Sequence, residues 1–143
     1  MNDVKGVALF EQWAAVEFDE WNLPVYSLVV EKYFNKFVLP SFHNYTHLTQ
    51  WHRLKGLETN QAIVDAHIAK FQSKLPAFDQ ILGKQKYMGG DEFSLIDIFY
   101  MPYTEKLYTI GDGGLIDAHP NVKAWWERIS SRESWKKANS PSA

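Results

Sequence analysis

Apolar residues recur along this chain at the three- and four-residue spacing that is typical of amphipathic helices. Prolines and short polar turns separate the periodic stretches, so the helix boundaries can be placed from the pattern alone. The predicted helices cover residues 4–23, 25–38 and 59–83, a stretch that starts after Ser94, a stretch that starts at Pro120, and residues 131–139.

One stretch of the pattern also resembles a β-strand. Residues 25–30 are rich in β-branched side chains, which favour strands, but no other segment offers a partner strand. We therefore assign these residues to a helix. The chain as a whole is predicted to fold as an all-α bundle of five or six helices without a sheet, kinked at Pro24, Pro76 and Pro102.

The best-defined helix start lies at Ser94, directly after the turn that contains Gly89 and Gly90. Ser94 and Asp97 have the spacing of a capping box, in which each side chain accepts a hydrogen bond from the backbone N–H of the other residue. Capping accounts for both side chains, so we assign them to folding and not to catalysis. The helix that follows must be central, because it carries one apolar stripe: Ile96, Phe99, Tyr100, Tyr103 and Leu107.

Three stretches together resemble the C-terminal domain of the glutathione transferases. Residues 86–98 are similar to the signature of its helix 6, and residues 11–17 are similar to the start of its helix 4. Residues 121–130, followed by Trp135-Lys136-Lys137, are similar to the end of phi-class and fungal phi-like members. The resemblance extends over residues 4–138 and implies the same all-α fold.

Members of this family begin with a thioredoxin-like domain, which binds glutathione and holds the catalytic Ser, Tyr or Cys. Met1 stands three residues before the helix-4 match, so we expect a single domain over residues 1–143 that uses no glutathione and no other cofactor. The resemblance also implies that the faces of helices 4 and 6 pack on the thioredoxin-like domain and line a pocket for hydrophobic substrates.

Residues 40–53 interrupt the resemblance with an insertion that is rich in histidine and aromatic side chains. The insertion is too apolar for a flexible linker, which favours a lid over the pocket. Because histidine titrates near neutral pH, His43, His47 and His52 are candidates for proton transfer. A metal site would need a third ligand, and the nearest carboxylate is that of Glu58, so we predict no metal. Packing without chemistry is the alternative.

Glu17 is an acid set inside the aromatic stripe of the first helix, between Trp13 and Trp21. If this side chain is buried, its pKa rises, because desolvation disfavours the charged carboxylate. A carboxyl group with a raised pKa is suited to general acid catalysis at neutral pH. The alternative is a structural carboxylate that pairs with Arg128 or with a tyrosine hydroxyl.

Composition narrows the range of partners. The chain has 143 residues and a formal net charge of −2, which argues against the basic surface of a nucleic-acid-binding domain. It has no cysteine, hence no disulfide and no thiol nucleophile, and a cytoplasmic location suits it. No uncharged run approaches the roughly 20 residues of a membrane span, and the charged N-terminus is unlike a signal peptide.

These observations favour a glutathione-independent protein for an apolar small molecule. The main hypothesis is a cofactor-free isomerase, cyclase or dehydratase that acts on an apolar or aromatic metabolite by acid–base catalysis. The alternatives are a carrier without catalysis, and an interaction module that docks a separate thioredoxin-like chain. An uncovered aromatic face would also favour a homodimer. The catalytic candidates are Glu17, His43, His47 and His52, and the ligand-binding candidates are Trp13, Trp21, Tyr45, Trp51, Phe99, Tyr103 and Tyr108.

Overall fold

The computed structural model describes residues 3–32 and 60–140, and helices dominate both ranges. The insertion at 40–53 and the end of the helix predicted over 25–38 lie outside the described residues. The elements are α1 (Val4–Val16), a π-helical segment (Glu17–Asn22), α2 (Leu23–Lys32), α3 (Gln61–Leu82), α4 (Leu95–Thr109), α5 (Gly114–Asp117), α6 (Pro120–Ser130) and α7 (Glu133–Asn139).

The two described ranges contain no β-strand, and a single isolated antiparallel bridge joins Tyr87 to Gly90 in the turn before α4. The predicted all-α fold is therefore confirmed. No helix in this part of the chain is both long enough and apolar enough to cross a membrane. Pro76 and Pro102 lie inside α3 and α4, and each helix continues past its proline.

Of the two effects expected at Pro24, a kink or a break, the break does not occur, because the chain stays helical from Val4 to Lys32. Proline has no backbone N–H, and its ring clashes with the carbonyl four residues earlier in an α-helix. Here the chain adopts a π-helical segment just before the proline, and the N–H of Leu23 donates to the carbonyl of Phe18, five residues back. The π segment lies where proline interrupts the α-helical hydrogen bonds, so the helix passes Pro24 without ending.

Trp21 lies at the centre of the hydrophobic core and is fully buried. Its ring makes edge-on contacts with the rings of Phe71, Phe78, Tyr100 and Trp125, with ring centroids 5.1–5.8 Å apart. Such aromatic pairs contribute about 0.5–1.5 kcal/mol each beyond the burial of their surface. The π segment, α3, α4 and α6 are therefore packed around one indole ring.

Asp97 connects the start of α4 to the rest of the fold. Ser94 and Asp97 form the expected capping box, and the Ser94 N–H donates to Asp97 Oδ2 at 3.0 Å. The carboxyl group is fully buried, and its other oxygen accepts the Met88 N–H at 2.9 Å and the indole N–H of Trp125 at 2.9 Å. One side chain thus holds the preceding turn, the helix start and α6 together.

Removing this side chain is expected to destabilise the protein far more than removing its capping partner. Asp97→Ala leaves the N–H groups of Met88 and Trp125 buried without an acceptor, and the two together cost about 3 kcal/mol or more of unfolding free energy. Ser94→Ala removes one cap and is expected to cost about 1 kcal/mol. Chemical denaturation of both variants measures the difference.

Asp91→Ala is the matched control for this measurement, since Asp91 is an exposed acid in the same turn. This replacement is expected to leave the unfolding free energy unchanged within error. If Asp97→Ala lost no more stability than Ser94→Ala, the link to α6 would not contribute to the stability of the fold.

Candidate functional site

An apolar face is exposed where α1 runs beside the start of α4. The rings of Phe10 and Phe99 meet edge-on with their centroids 6.1 Å apart. Around them Val7, Leu95 and Ile98 are exposed large apolar side chains. Val7 is three residues from Phe10, and Leu95 is three and four residues from Ile98 and Phe99, so these side chains are neighbours on their helix surfaces. We call these five residues the α1/α4 apolar face.

This face has the properties of a site that another molecule covers. Exposed apolar side chains that occur singly are normal, whereas a contiguous group of them marks a binding or interaction surface. The capping box fixes the first turn of α4, so Leu95, Ile98 and Phe99 are presented by a well-anchored element. A preformed, rigid face loses little conformational entropy when it is covered.

Glu17 follows Trp13 and Phe10 by about one and two helical turns and begins the π-helical segment. It is only 6% exposed, and its Oε1 atom has no hydrogen-bond partner among the described residues. Burial raises the pKa of the Glu17 carboxyl group, while a hydrogen bond with the side chain of Asn22 acts in the opposite direction. Helical phase places Glu17 on the inward face of the first helix, and the structure shows this side chain buried.

The structure does not show the alternative pairing of Glu17 with Arg128. The guanidinium group of Arg128 donates to the carbonyl oxygen of Lys86 at 2.6 Å and lies over the ring of Tyr87 at 5.6 Å. The charge of Glu17 contributes to the raised pKa of the Tyr100 hydroxyl, although burial is the larger cause.

The aromatic ligand-binding candidates occupy three different environments. Phe99 belongs to the α1/α4 apolar face, and Trp13 is buried one turn before Glu17. Tyr103 is half-buried on α4, where its ring meets the ring of Tyr26 with centroids 6.0 Å apart. All three side chains therefore belong to the helix pair formed by α1 and α4.

Two other candidates are placed away from this face. Trp21 is enclosed by four rings, and its full burial leaves no surface for a ligand, so its position fits packing and not pocket lining. Tyr108 lies near the far end of α4, where it stacks on Trp126 at 5.9 Å and donates to Asp117 at 2.9 Å. Burial raises the pKa of Tyr108, and the Asp117 carboxylate adds to this effect.

The remaining candidates stay predictions. His43, Tyr45, His47, Trp51 and His52 lie outside the described residues, so their positions relative to Glu17 are not given. Among the residues that the structure describes, no three acidic or histidine side chains are grouped so that they would hold a metal ion.

Sequence reasoning missed Tyr100 and Phe10 as members of the site. The residue pattern puts Tyr100 in the apolar stripe of α4, and helical phase alone does not reveal that its hydroxyl lacks a hydrogen-bond partner among the described residues. Phe10 shares the stripe that contains Glu17, but its contact with Phe99 joins two helices that are distant in sequence. The sequence pattern shows that both residues belong to apolar stripes, but it does not show which residues of other helices they contact.

The burial of Glu17 leads to a prediction about pH. Its folded-state pKa lies above the ordinary value of 4.5, so the folded protein binds this proton more tightly than the unfolded chain. Stability from this group is therefore fully present below pH 4.5 and is lost as the pH rises through the folded-state pKa. The unfolding free energy falls by about 1.4 kcal/mol for each pH unit between the pKa of the unfolded chain and that of the folded protein. Glu17→Gln abolishes this loss, because glutamine does not titrate.

The measurement is the unfolding free energy of both proteins between pH 4 and pH 9. We expect the stability of the Gln variant relative to the original protein to increase as the pH rises. Glu11→Gln, on the exposed side of α1, is the control and is expected to show a flat difference. A flat difference for Glu17→Gln as well would mean that folding does not perturb this carboxyl group.

The chain matches known proteins over most of its length. A family model for "Glutathione S-transferase, C-terminal domain" matches residues 28–133. "Glutathione S-transferase F13" from Arabidopsis thaliana is 33% identical over 137 residues, which cover 96% of this chain and 55% of that protein. "Glutathione S-transferase hmp2" from Hypomyces subiculosus is 30% identical over 139 residues, which cover 96% of this chain and 58% of that protein.

A solved structure agrees with these sequence matches. Glutathione transferase F7 from Populus trichocarpa superposes with a TM-score of 0.75 at 29% identity, covering 95% of this chain and 56% of that one. The chain thus spans about half the length of the relatives that it matches. The family model, the relatives and the solved structure all agree with the resemblance of the three stretches in the sequence. This chain belongs to the glutathione S-transferase C-terminal domain family.

Proposed function

We propose that this domain forms the hydrophobic-substrate side of a glutathione-transferase-type protein and that a thioredoxin-like domain docks on its α1/α4 apolar face. The observation that carries the proposal is the contact of Phe10 with Phe99 inside a group of exposed apolar side chains. Without a partner on this face, its apolar side chains would stay in contact with water, and the unfavourable free energy of that contact grows with the apolar area.

The comparison with relatives supports the choice of this occupant. The matched relatives are about twice as long as the matched region, and the family resemblance assigns the faces of helices 4 and 6 to contact with the thioredoxin-like domain. In this chain α1 and α4 correspond to those two helices. The thioredoxin-like domain is on the same polypeptide or on a separate one, and the proposed interface is the same in either case.

The proposed substrate class follows from the side chains at this junction. Phe99 and Tyr103 offer partly exposed aromatic surface beside the buried ring of Trp13, which suits an apolar or aromatic compound. Glutathione would be bound by the docked domain, and this chain would orient the second substrate. The residues of the 40–53 insertion keep their proposed role as a lid over that substrate.

Docking is tested by mixing the purified chain with a separately expressed thioredoxin-like domain of a phi-class transferase. We expect a complex at micromolar concentration in analytical ultracentrifugation, together with glutathione transfer to a standard electrophile that neither part catalyses alone. Ile98→Glu places a charge in the proposed interface and is expected to weaken the complex about tenfold or more, because the charge would be desolvated.

Ile63→Glu is a closely matched control. Ile63 is 43% exposed and Ile98 is 42% exposed, but Ile63 lies on α3, away from the α1/α4 apolar face. The control variant is expected to bind like the original chain. No complex, or equal weakening by both variants, would contradict the proposal. If Ile98→Glu instead converted a dimer of the isolated chain to a monomer, a second copy of the chain would be the occupant.

A second candidate function rests on the buried, incompletely hydrogen-bonded carboxyl group of Glu17. A carboxyl group with a raised pKa in an apolar surrounding is suited to glutathione-independent acid catalysis on an apolar metabolite, such as isomerisation, cyclisation or dehydration. In this case the histidines at 43, 47 and 52 would be the candidate bases. A carrier without catalysis would use the same surface but would not need the acid.

Glu17→Gln separates the two candidate functions. If Glu17 is the general acid, the substitution is expected to lower turnover by about 10²–10⁴-fold with unchanged ligand affinity. If the domain only positions a substrate for the docked partner, the turnover of the reconstituted complex is expected to change less than about threefold. Single-turnover kinetics with the Gln variant and the Glu11→Gln control distinguish these outcomes.

A further inference from the structure

Two cations are held against aromatic rings at the turn before α4. The guanidinium group of Arg132 lies over the ring of Phe93, 3.9 Å from its centroid. The rings of Phe93 and Tyr87 meet edge-on at 5.9 Å, and Lys86 Nζ lies over the Tyr87 ring at 5.5 Å from its centroid. Contacts of this kind are attractive and restrict where each charge is held on the surface. We call Lys86, Tyr87, Phe93 and Arg132 the cation–ring cluster.

Both cations of this cluster are open to another molecule, because the side chains of Arg132 and Lys86 are exposed. Within residues 3–32 and 60–140, neither of them forms an ion pair with a carboxylate. Arg128, which also lies over the Tyr87 ring, differs because it is half-buried and its guanidinium group donates to the Lys86 carbonyl at 2.6 Å. Arg128 therefore holds the turn, whereas Arg132 and Lys86 keep N–H donors for a partner.

Acidic residues are also present in the two segments that form the cluster. Asp91, Glu92 and Glu133 are exposed, but none of them is paired with Arg132 or Lys86 in the part of the chain that the structure describes. The surface is therefore mixed in charge, and it recognises a partner by the position of its cations and not by a large net positive charge. A guanidinium group suits this task, because its planar N–H groups match a carboxylate with two parallel hydrogen bonds.

The cation–ring cluster adjoins the α1/α4 apolar face. Phe93 is two residues before Leu95, which belongs to that face, and the capping box that starts at Ser94 fixes the chain between them. Protein interfaces usually combine an apolar centre with a polar rim. The apolar face supplies such a centre and the cluster supplies part of the rim. A partner that covers the face therefore meets Arg132 and Lys86 at the edge of the contact.

We infer that the domain that docks on the α1/α4 apolar face presents an acidic segment, with aspartate or glutamate side chains, to Arg132 and Lys86. This inference rests on the docking proposed above and adds the chemistry of the partner at the rim. Complementary charges at the rim of an interface mainly speed association and select the partner. The formal net charge of −2 makes a nucleic acid a poor fit to the same surface.

Association kinetics with the separately expressed thioredoxin-like domain of a phi-class transferase test the inference. Arg132→Gln removes one charge from the cluster and is expected to slow association about fivefold at low salt, with a much smaller effect on dissociation. At 1 M salt the Debye length is only about 3 Å, so the difference from the original chain is expected to disappear. Stopped-flow fluorescence over a series of salt concentrations measures both rates.

Two further variants separate the role of the charge from other effects. Lys70→Gln is the matched control, since it removes one charge from an exposed position on α3, and it is expected to associate at the original rate. Arg132→Lys keeps the charge but loses the planar guanidinium group over Phe93, and it is expected to keep most of the association rate. If Arg132→Lys were as slow as Arg132→Gln, the guanidinium group would act through packing, and the inference would be wrong.

Cross-linking with a carbodiimide identifies the partner group, because this reagent joins an amine to a carboxyl group in contact with it. The expected product, located by mass spectrometry, links Lys86 to an aspartate or glutamate of the docked domain, and Lys86→Arg abolishes this link while it keeps the charge. A complex that forms without this link, or in which Arg132→Gln and Lys70→Gln associate equally fast, would overturn the inference and leave the docking intact. The absence of any complex would overturn both.

Discussion

The fold depends on the hydrogen bonds made by one buried carboxyl group, that of Asp97. Three N–H donors from the turn before α4, from the helix start and from α6 meet on its two oxygens. A buried carboxyl group is unfavourable unless its oxygens are hydrogen-bonded, so these three segments must be in place together. The position of α4 is settled in this way, with Ile98 on its outer side and Tyr100 on its inner side.

Local features of the fold were predictable from the sequence, and contacts between distant segments were not. The capping box at Ser94 and Asp97 follows from residues three positions apart. The bond from Asp97 to Trp125 joins residues 28 positions apart, and no local pattern indicates it. Pro24 disfavours a continuous α-helix, but the π segment just before it keeps the chain helical from Val4 to Lys32, a local adjustment that the residue pattern does not indicate.

The same distinction applies to the candidate site. Helical phase placed Glu17 on the inner side of the first helix, and this placement is correct. Phase also grouped Phe99, Tyr103 and Tyr108 on one helix, but the structure gives Tyr108 a separate environment beside Trp126. Nine residues along an α-helix correspond to roughly 13 Å, so membership of one helix does not place Phe99 and Tyr108 in one site.

The arrangement of indole rings in the core also has an optical consequence. Trp21 and Trp125 lie 5.8 Å apart, and Trp125 and Trp126 lie 6.5 Å apart, so three chromophores form a continuous series in a rigid, asymmetric setting. Electronic transitions of rings this close couple with one another and produce strong near-ultraviolet circular dichroism. That signal disappears when side-chain packing loosens even if the helices persist. The protein therefore carries an intrinsic spectroscopic reporter of the packing around Trp21.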